Sequence, residues 1–231
     1  MNSRLSFHFR TRYINRSKEG LWIILVLSGL IVAGCANSSN DTRIDRSFLT
    51  GKPCEAPCWY GLELDKANED DVRQTLKTLP FIDQTTMREW TAPWLGDWSA
   101  KEIHPNCVYP VPATTGCVGL LIYNDKLKQI RMSIAYELTF GTVVEKLGPP
   151  DYMSYDIYHP EVGGCVIDLG WTTKGIDVEY LDTRDESKCK SIKKGNGVDR
   201  STIVSGLFYY SVKEGFKSTE GLFPWTGFTS P

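Results

Sequence analysis

The seven cysteines are the residues of this 231-residue chain whose type and spacing best suit covalent chemistry. The first of them, Cys35, follows a basic N-terminal segment, an apolar run that begins at Leu21, and the small residues Ala33 and Gly34. A basic segment, an apolar core of roughly 7–15 residues and small residues at the cleavage site are the parts of a secretory signal. The sequence therefore predicts export, with residues 1–34 as the signal peptide.

The run Leu30-Ile31-Val32-Ala33-Gly34-Cys35 resembles the bacterial lipobox. That resemblance implies a diacylglyceryl thioether on Cys35 and cleavage before it. The acyl chains would anchor the protein, because each methylene buried in the membrane contributes about 0.8 kcal/mol. Ala36 in the next position would permit sorting to the outer membrane where the host has one, and otherwise the anchor lies on the outer face of the plasma membrane. The alternative is an uncleaved membrane segment, since the uncharged run of 17 residues at 20–36 is only slightly shorter than the roughly 20 that span a bilayer.

The other six cysteines are an even set in a chain predicted to be exported, and that combination favours disulfides. Six cysteines allow 15 pairings, so the sequence leaves the connectivity open. Their spacing suggests three local bridges, which would join Cys54 to Cys58, Cys107 to Cys117, and Cys165 to Cys189. The alternative is a metal site that combines the first pair with His104 or His159, but this spacing is loose for zinc. We therefore expect no metal and no cofactor.

Two histidines, His104 and His159, remain after residue 34, and each is followed directly by proline. Such pairs are typical of turns, where an exposed or loop-packing histidine is the commoner role. The chain has no Gly-x-Ser-x-Gly elbow, His-Glu-x-x-His motif, phosphate loop or dinucleotide fingerprint. The sequence therefore predicts no catalytic residue and no enzyme. The alternative is an envelope enzyme in which one of the two histidines lies in a concave site beside an acid or a cysteine.

Trp90, Trp94 and Trp98 form a series with a spacing of four residues. On a helix they would share one face, but Pro93 and Gly96 interrupt any helix here and favour a loop or strand. Because indole rings offer a large contact area with few rotamers to freeze, the series is a candidate contact for a partner protein or a sugar. The alternative is that the rings pack this segment onto a sheet.

The charge balance excludes one class of partner. Five of the 26 basic residues and one of the 28 acidic residues lie within 1–34, which leaves the remaining chain with a formal charge of about −6. A chain of that charge has no basic patch for nucleic acid, and anionic headgroups would mildly repel it. Any hold on a membrane therefore has to come from the lipid.

Local patterns in the first half of the chain predict a helix and a β-hairpin. Asn68 precedes three acidic residues and an apolar series at helical spacing, which predicts a helix over 69–79 until a proline ends it. Apolar runs at 117–123 and 127–134 flank a polar loop at 124–126, which is a hairpin signal.

The second half shows the same kinds of pattern. A short helix begins after Thr139 and stops at Gly148. Strands are predicted at 152–158, 165–171, 176–180 and 201–212. The aromatic tail at 221–228 has no period, and we expect it to pack over the sheet.

The order of helix, strand and hairpin occurs twice, and Gly116-Cys117-Val118 matches Gly164-Cys165-Val166. We interpret the chain as an α+β fold of two related halves, each a short helix packed on an antiparallel sheet. The predicted segments are the signal peptide at 1–34, a lipidated flexible tether at 35–52, the first half at 53–136 and the second half at 137–231.

Two segments carry a resemblance to known envelope proteins. The run 138–151 resembles the short helix and Gly-x-Pro exit of the BamE family of outer-membrane-assembly lipoproteins and of the β-lactamase inhibitor protein. The run 57–62 is similar to the Pro-Cys-Trp-x-Gly opening of uncharacterised bacterial lipoproteins. These resemblances imply a tandem α+β fold on a lipid anchor, and they imply no activity.

From these observations we expect a lipid-anchored protein of the bacterial cell envelope that acts as a binding or scaffold module. Its expected partners are the membrane, through the lipid, and an envelope protein, through the sheet faces or the tryptophans. A lipoprotein that binds a glycan or small ligand, and an envelope enzyme, are the alternatives.

Overall fold

The computed structural model describes residues 43–91, 100–109, 117–158, 164–182, 198–213 and 222–228. The three helices in these ranges are α1 (Ser47–Thr50), α2 (Glu69–Thr78) and α3 (Phe140–Leu147). The nine strands are β1 (Ile82–Thr91), β2 (Lys101–Cys107), β3 (Val118–Tyr123), β4 (Lys126–Ser133), β5 (Tyr152–Tyr158), β6 (Gly164–Trp171), β7 (Ile176–Asp182), β8 (Gly206–Tyr210) and β9 (Leu222–Pro224). None of the helices in these ranges combines the length and the apolar character needed to cross a bilayer.

All the strands belong to one antiparallel sheet with the order β1-β2-β3-β4-β8-β7-β6-β5-β9. The strands that follow α2 and the strands that follow α3 meet in the middle, where β4 pairs with β8 from Gln129 opposite Tyr210 to Ser133 opposite Gly206. The fold is therefore mostly sheet with a few short helices, and it mixes α and β structure as predicted.

One face of the sheet carries the core. Because successive side chains of a strand point to opposite faces, alternate residues of each strand pack together with the helices. The buried cluster joins Val72 and Leu76 of α2 and Phe140 and Val143 of α3 to apolar residues of the central strands. Those strand residues include Ile103, Leu120, Ile130, Ile167, Val178 and Leu207.

Both longer helices form where the sequence predicts them, because their end signals are local. At the start of α2, the Asn68 side chain accepts from the backbone N–H of Asp71, and the Asp71 carboxylate accepts from the N–H of Asn68. This reciprocal capping satisfies two donors that a helix start leaves open. The Thr139 hydroxyl accepts from the N–H of Thr142 at the start of α3, and Gly148 ends that helix.

The predicted hairpin is also present, as β3 and β4. Its two turn residues, Asn124 and Asp125, have φ values of 50° and 55°. A two-residue turn with both φ values positive matches the twist of antiparallel strands, and asparagine and aspartate tolerate it better than most residues.

The ordered fold reaches back into the segment predicted as a tether. Helix α1 lies within 35–52, and its Phe48 is only 3% exposed. The Asp45 carboxylate accepts hydrogen bonds from Trp59 Nε1 at 2.7 Å, Tyr60 Oη at 3.2 Å and the N–H of Ser47 at 2.9 Å. These contacts join the segment to the turn that carries Trp59.

The last elements differ in extent from the predictions. The final strand of the prediction, 201–212, is ordered as a strand only over β8, because residues 198–205 instead run beside the start of α3. The aromatic tail contributes β9, which pairs with β5 at the sheet edge. Trp225 is partly buried against the core, and its ring meets Phe228 edge to face at 5.0 Å.

Candidate functional site

The face of the sheet opposite the helices, named here the outer face, is where polar and aromatic side chains gather. Its members alternate with the core residues of seven strands. They are Trp90 of β1, Glu102 and His104 of β2, Leu121 of β3, Gln129 and Arg131 of β4, Phe208 and Tyr210 of β8, Asp177 and Glu179 of β7, and Asp168 of β6. Tyr152 and Ser154 of β5 continue the same face.

Trp90, His104 and Glu102 form a compact cluster at one end of this face. The Trp90 and His104 rings are stacked, with centroids 4.4 Å apart and planes 22° from parallel. Glu102 lies 3.1 Å from His104 Nε2 through one carboxylate oxygen and accepts a 2.9 Å hydrogen bond from Trp90 Nε1 through the other. The carboxylate therefore orients the indole through a hydrogen bond and lies beside the imidazole.

The His104 ring is enclosed on both faces. Trp90 covers one side, and Gly119 of the neighbouring strand lies beneath it, where an added Cβ would be 2.7 Å from His104 Cε1. Trp90, by contrast, keeps 46% of its surface exposed. The cluster therefore presents an indole ring that is fixed in direction and open to a partner.

Burial and hydrogen bonding act in opposite directions on Glu102. Desolvation would raise the pKa of this carboxyl, but the interactions with His104 and Trp90 favour the charged form and hold the pKa below its usual range. Glu102 is therefore a carboxylate at neutral pH, which suits its role as acceptor for the Trp90 indole.

His104 lies in a strand and is buried, so the expectation of an exposed or turn histidine is wrong. Pro105 suggested a turn because proline lacks the N–H that a strand normally donates. The structure places Pro105 opposite an irregularity in β1, where the pairing shifts between Asp83 and Arg88. No ladder bond from residue 105 to β1 is needed there, so β2 continues through the proline.

A second group on the outer face consists of three carboxylates on adjacent strands. Asp168 lies directly opposite Glu179, and Asp177 lies opposite Gly170. Ser154 donates a 2.9 Å hydrogen bond to Asp168, and Arg131 lies 4.0 Å from Glu179. Like charges directly opposite each other destabilise a sheet, so this group favours protonation of one carboxyl.

The pH dependence of stability should report on this group. Burial raises the pKa of Asp168 to about 7, and the charges of Glu179 and Asp177 add to the effect against the hydrogen bond from Ser154 and the charge of Arg131. The unfolded-state pKa is about 3.9, so the fold gains stability from protonated Asp168 below pH ~4 and loses that gain as the pH rises through 7.

The test compares wild-type protein with Asp168→Asn, which keeps an acceptor for Ser154. Between pH 5 and pH 8 we expect the wild type to lose at least about 1 kcal/mol of unfolding free energy relative to the variant, measured by urea denaturation. Equal pH profiles for the two proteins would show that Asp168 is ionised at neutral pH.

Two of the three predicted disulfides lie fully within the described residues, and the structure forms both. Cys54 is joined to Cys58 with a Cα separation of 5.7 Å, and Cys107 to Cys117 with one of 4.7 Å. Cys165 is also disulfide-bonded, and its predicted partner Cys189 lies outside the described residues. A bonded Cys54–Cys58 pair offers no thiolate to a metal, so the structure favours the predicted disulfide over the alternative metal site at that pair.

Several predicted site residues lie outside the described ranges, namely Cys35, Trp94, Trp98, His159 and Cys189. Within those ranges, no group of three or more His, Cys, Asp or Glu side chains is arranged to hold a metal ion.

Sequence reasoning missed Glu102 and the three carboxylates. The signal for Asp168 is its position between Ile167 and Leu169. Because strand residues alternate between the two faces, a polar residue between two apolar core residues is expected on the outer face. The signal for Glu102 was weaker, because β2 itself was not predicted.

In comparisons with known proteins, no family model, curated protein or solved structure matches this chain.

Proposed function

We propose that the protein is an exported, lipid-anchored module of the cell envelope that binds another envelope protein through the outer face. The observation that carries this proposal is the fixed and exposed Trp90 ring. Hot spots of protein interfaces are enriched in tryptophan, whose indole gives a large contact area at a small cost in conformational freedom. Here the stack on His104 and the hydrogen bond to Glu102 already restrict the Trp90 side chain, so binding a partner would cost little further conformational entropy.

The proposed anchor is the lipid on Cys35, with residues 1–34 removed as a signal peptide. Two complete disulfides and a further disulfide-bonded cysteine, Cys165, support an oxidising, extracytoplasmic compartment. The anchor places the module at a bacterial membrane, which is the outer membrane if the host has one.

We also propose that residues 53–136 and 137–231 are two related halves. The first contains one helix followed by four antiparallel strands and the second one helix followed by five, and the fourth strand of each set, β4 and β8, pair with each other. The matched Gly-Cys-Val runs do not support this relation, because Cys117 precedes the third strand of its set while Cys165 lies in the second. The support comes from the order of elements.

Two other functions remain as alternatives to a protein-binding module. Glycan binding has one observation in its favour, since an exposed and fixed indole is also a surface on which a sugar ring stacks. An enzyme that uses His104 has the acid beside it, Glu102, at 3.1 Å. That role is disfavoured because both faces of the imidazole are covered.

Trp90→Ala separates binding from folding. Because the ring is exposed, we expect the unfolding free energy to fall by about 1 kcal/mol or less, while partner affinity falls at least about 30-fold. Ile203→Ala is the matched control, since Ile203 is 45% exposed, close to the 46% of Trp90, but lies beside the start of α3.

The binding experiment keeps Trp90 and places a photo-crosslinking amino acid at position 88 or 203 in cells that make the anchored or the Cys35→Ser protein. Arg88 is exposed and lies opposite His104, on the same face as Trp90. We expect a stoichiometric protein crosslink from position 88 in the anchored form and none from position 203. A labelled product that contains glycan would favour the sugar-binding alternative. No product at position 88 with several crosslinkers would contradict a protein partner on this face.

A further inference from the structure

A cleft that shares Tyr210 with the outer face is lined by the Cys54–Cys58 disulfide. It has a volume of about 740 Å³, and its other walls include Asp65, Leu147, Lys174 and Ser211. This volume falls within the range of roughly 300–1,000 Å³ that is usual for ligand sites in proteins. Both cysteines of the pair are partly exposed, so a thiol of another molecule can approach the bond between them.

One sulfur of this disulfide has a hydrogen-bond donor aimed at it. The backbone N–H of Gly61 donates to Cys54 Sγ at 3.4 Å. The donor is placed by a two-residue turn, because Trp59 and Leu62 exchange two backbone hydrogen bonds of 3.1 and 2.9 Å around Tyr60 and Gly61. Both turn residues have positive φ, 50° and 85°, which glycine at the second position accommodates.

This donor distinguishes the two sulfurs chemically. A hydrogen bond to a sulfur stabilises the thiolate more than the thiol, and the sulfur with the more stable thiolate is the better leaving group in disulfide exchange. Cys54 is therefore the leaving sulfur, and Cys58 is the one that an incoming thiolate attacks.

The loop that carries the pair has other attachments to the fold. Trp59, next to Cys58, is fully buried and donates to Asp45, and the N–H of Cys58 donates to the carbonyl of Glu55 at 3.0 Å. The loop therefore keeps these attachments when the disulfide is open.

The Cys107–Cys117 disulfide has a different setting. It joins the end of β2 to the residue before β3, and Cys117 is only 4% exposed. Cys117 also exchanges backbone hydrogen bonds with Pro105 and Ser133 inside the sheet. It is therefore a structural bond, and it serves as the internal control for the first pair.

We propose that the Cys54–Cys58 disulfide is a thiol–disulfide exchange site for polypeptide dithiols in the compartment to which the protein is exported. A client thiolate attacks Cys58 Sγ, the Cys54–Cys58 bond breaks, and Cys54 leaves with the electron pair as a thiolate bonded to the Gly61 N–H. The second client thiolate then attacks the client sulfur of the mixed disulfide and releases Cys58. The client loses two electrons and two protons, and both protons end on Cys54 and Cys58.

The charges near the cleft are mixed. Glu55 lies between the cysteines and pairs with Lys146 at 3.6 Å. Asp65 is neutralised by Lys128 at 2.8 Å. Both of these carboxylates are paired with lysines, and the Gly61 donor, which bonds to Cys54, is the difference between the two sulfurs.

The first test is made on the full chain in detergent, equilibrated in glutathione buffers of increasing reducing strength and then quenched by alkylation and mass spectrometry. The measured quantity is the value of [GSH]²/[GSSG] at which half of each disulfide is reduced. We expect this value to be at least tenfold lower for Cys54–Cys58 than for Cys107–Cys117. Reduction of Cys107–Cys117 first, or of both pairs together, would overturn the proposal.

Two single variants test the direction of attack. In Cys54→Ser a mixed disulfide on Cys58 should accumulate with glutathione or with a synthetic two-cysteine peptide, because the resolving thiol is gone. In Cys58→Ser the alkylation rate of Cys54 should reach half its maximum at a lower pH than that of Cys58 in Cys54→Ser. The opposite order would contradict the assigned roles.

The same variants test the chemical class of the client. If glutathione forms the mixed disulfide but the peptide does not, the client is a small thiol and not a polypeptide. If a variant fails to fold, the glutathione equilibrium of the native chain still decides the question.

Discussion

Replacing Trp59 with alanine is expected to lower the free energy of unfolding by about 3–5 kcal/mol. The ring is fully buried, and it meets Tyr60 and Phe81 edge to face at centroid distances of 5.2 and 6.3 Å. Its indole N–H donates to Asp45, so the substitution removes a polar contact as well as core volume. Because Asp45 also holds α1, we expect that helix to detach in the variant.

Urea denaturation checks the magnitude, and hydrogen exchange over residues 45–50 checks the detachment. Trp59→Phe is the control, since it keeps an aromatic ring but removes the bond to Asp45, at an expected cost of about 1.5–3 kcal/mol. A loss below about 1 kcal/mol for Trp59→Ala would mean that the Pro-Cys-Trp-x-Gly segment is not part of the core.

Replacing Asp65 with alanine is expected to cost a similar amount, about 3–5 kcal/mol, because it leaves the buried Lys128 ammonium without its carboxylate. Lys128 Nζ lies 2.8 Å from one Asp65 oxygen, and Ser211 donates to the other at 2.7 Å. The side chain of Lys128 is only 8% exposed. The contact joins the loop before α2 to β4 and to the residue after β8.

The double variant Asp65→Ala/Lys128→Met separates the cost of an unpaired charge from the value of the pair. It should recover most of the stability, since replacing a buried ion pair by apolar groups is often neutral. If the double variant is as unstable as Asp65→Ala, the loss comes from some other contact of Asp65.

The pH dependence of the Asp65 contribution has a definite sign. Burial works against the charged form, but the hydrogen bonds from Lys128 and Ser211 outweigh it and hold the pKa of Asp65 below its usual range. The contribution is therefore present above the unfolded-state pKa of about 3.9 and is lost as the pH falls below it. The stability difference between wild type and Asp65→Ala should shrink when urea denaturation is repeated at pH 3.

The parts of the fold that the sequence predicts are those encoded by neighbouring residues. The Asn68–Asp71 capping pair defines the start of α2 within four residues, and Asn124-Asp125 defines the hairpin of β3 and β4. The pairs Cys54–Cys58 and Cys107–Cys117 are likewise local, at separations of 4 and 10 residues.

The candidate site was only partly predictable because strand register assembles it. Trp90, Glu102, His104 and Gly119 come from three strands, and they meet only because β1 shifts register opposite Pro105. No sequence spacing specifies that shift. Trp90 was predicted as a contact residue from its type alone, and the cluster that orients it follows from the pairing of β1 with β2.

The docking of α1 through Asp45 also determines how the folded region would carry a mechanical load. With the proposed anchor at Cys35, any pull from the membrane reaches the fold at Asp45, where three donors share one carboxylate. Nine residues, 36–44, separate Cys35 from Asp45, and a chain of nine residues reaches at most about 30 Å when fully extended. The point where the chain enters the folded region would therefore stay within that distance of the lipid surface, so the module would work close to the membrane.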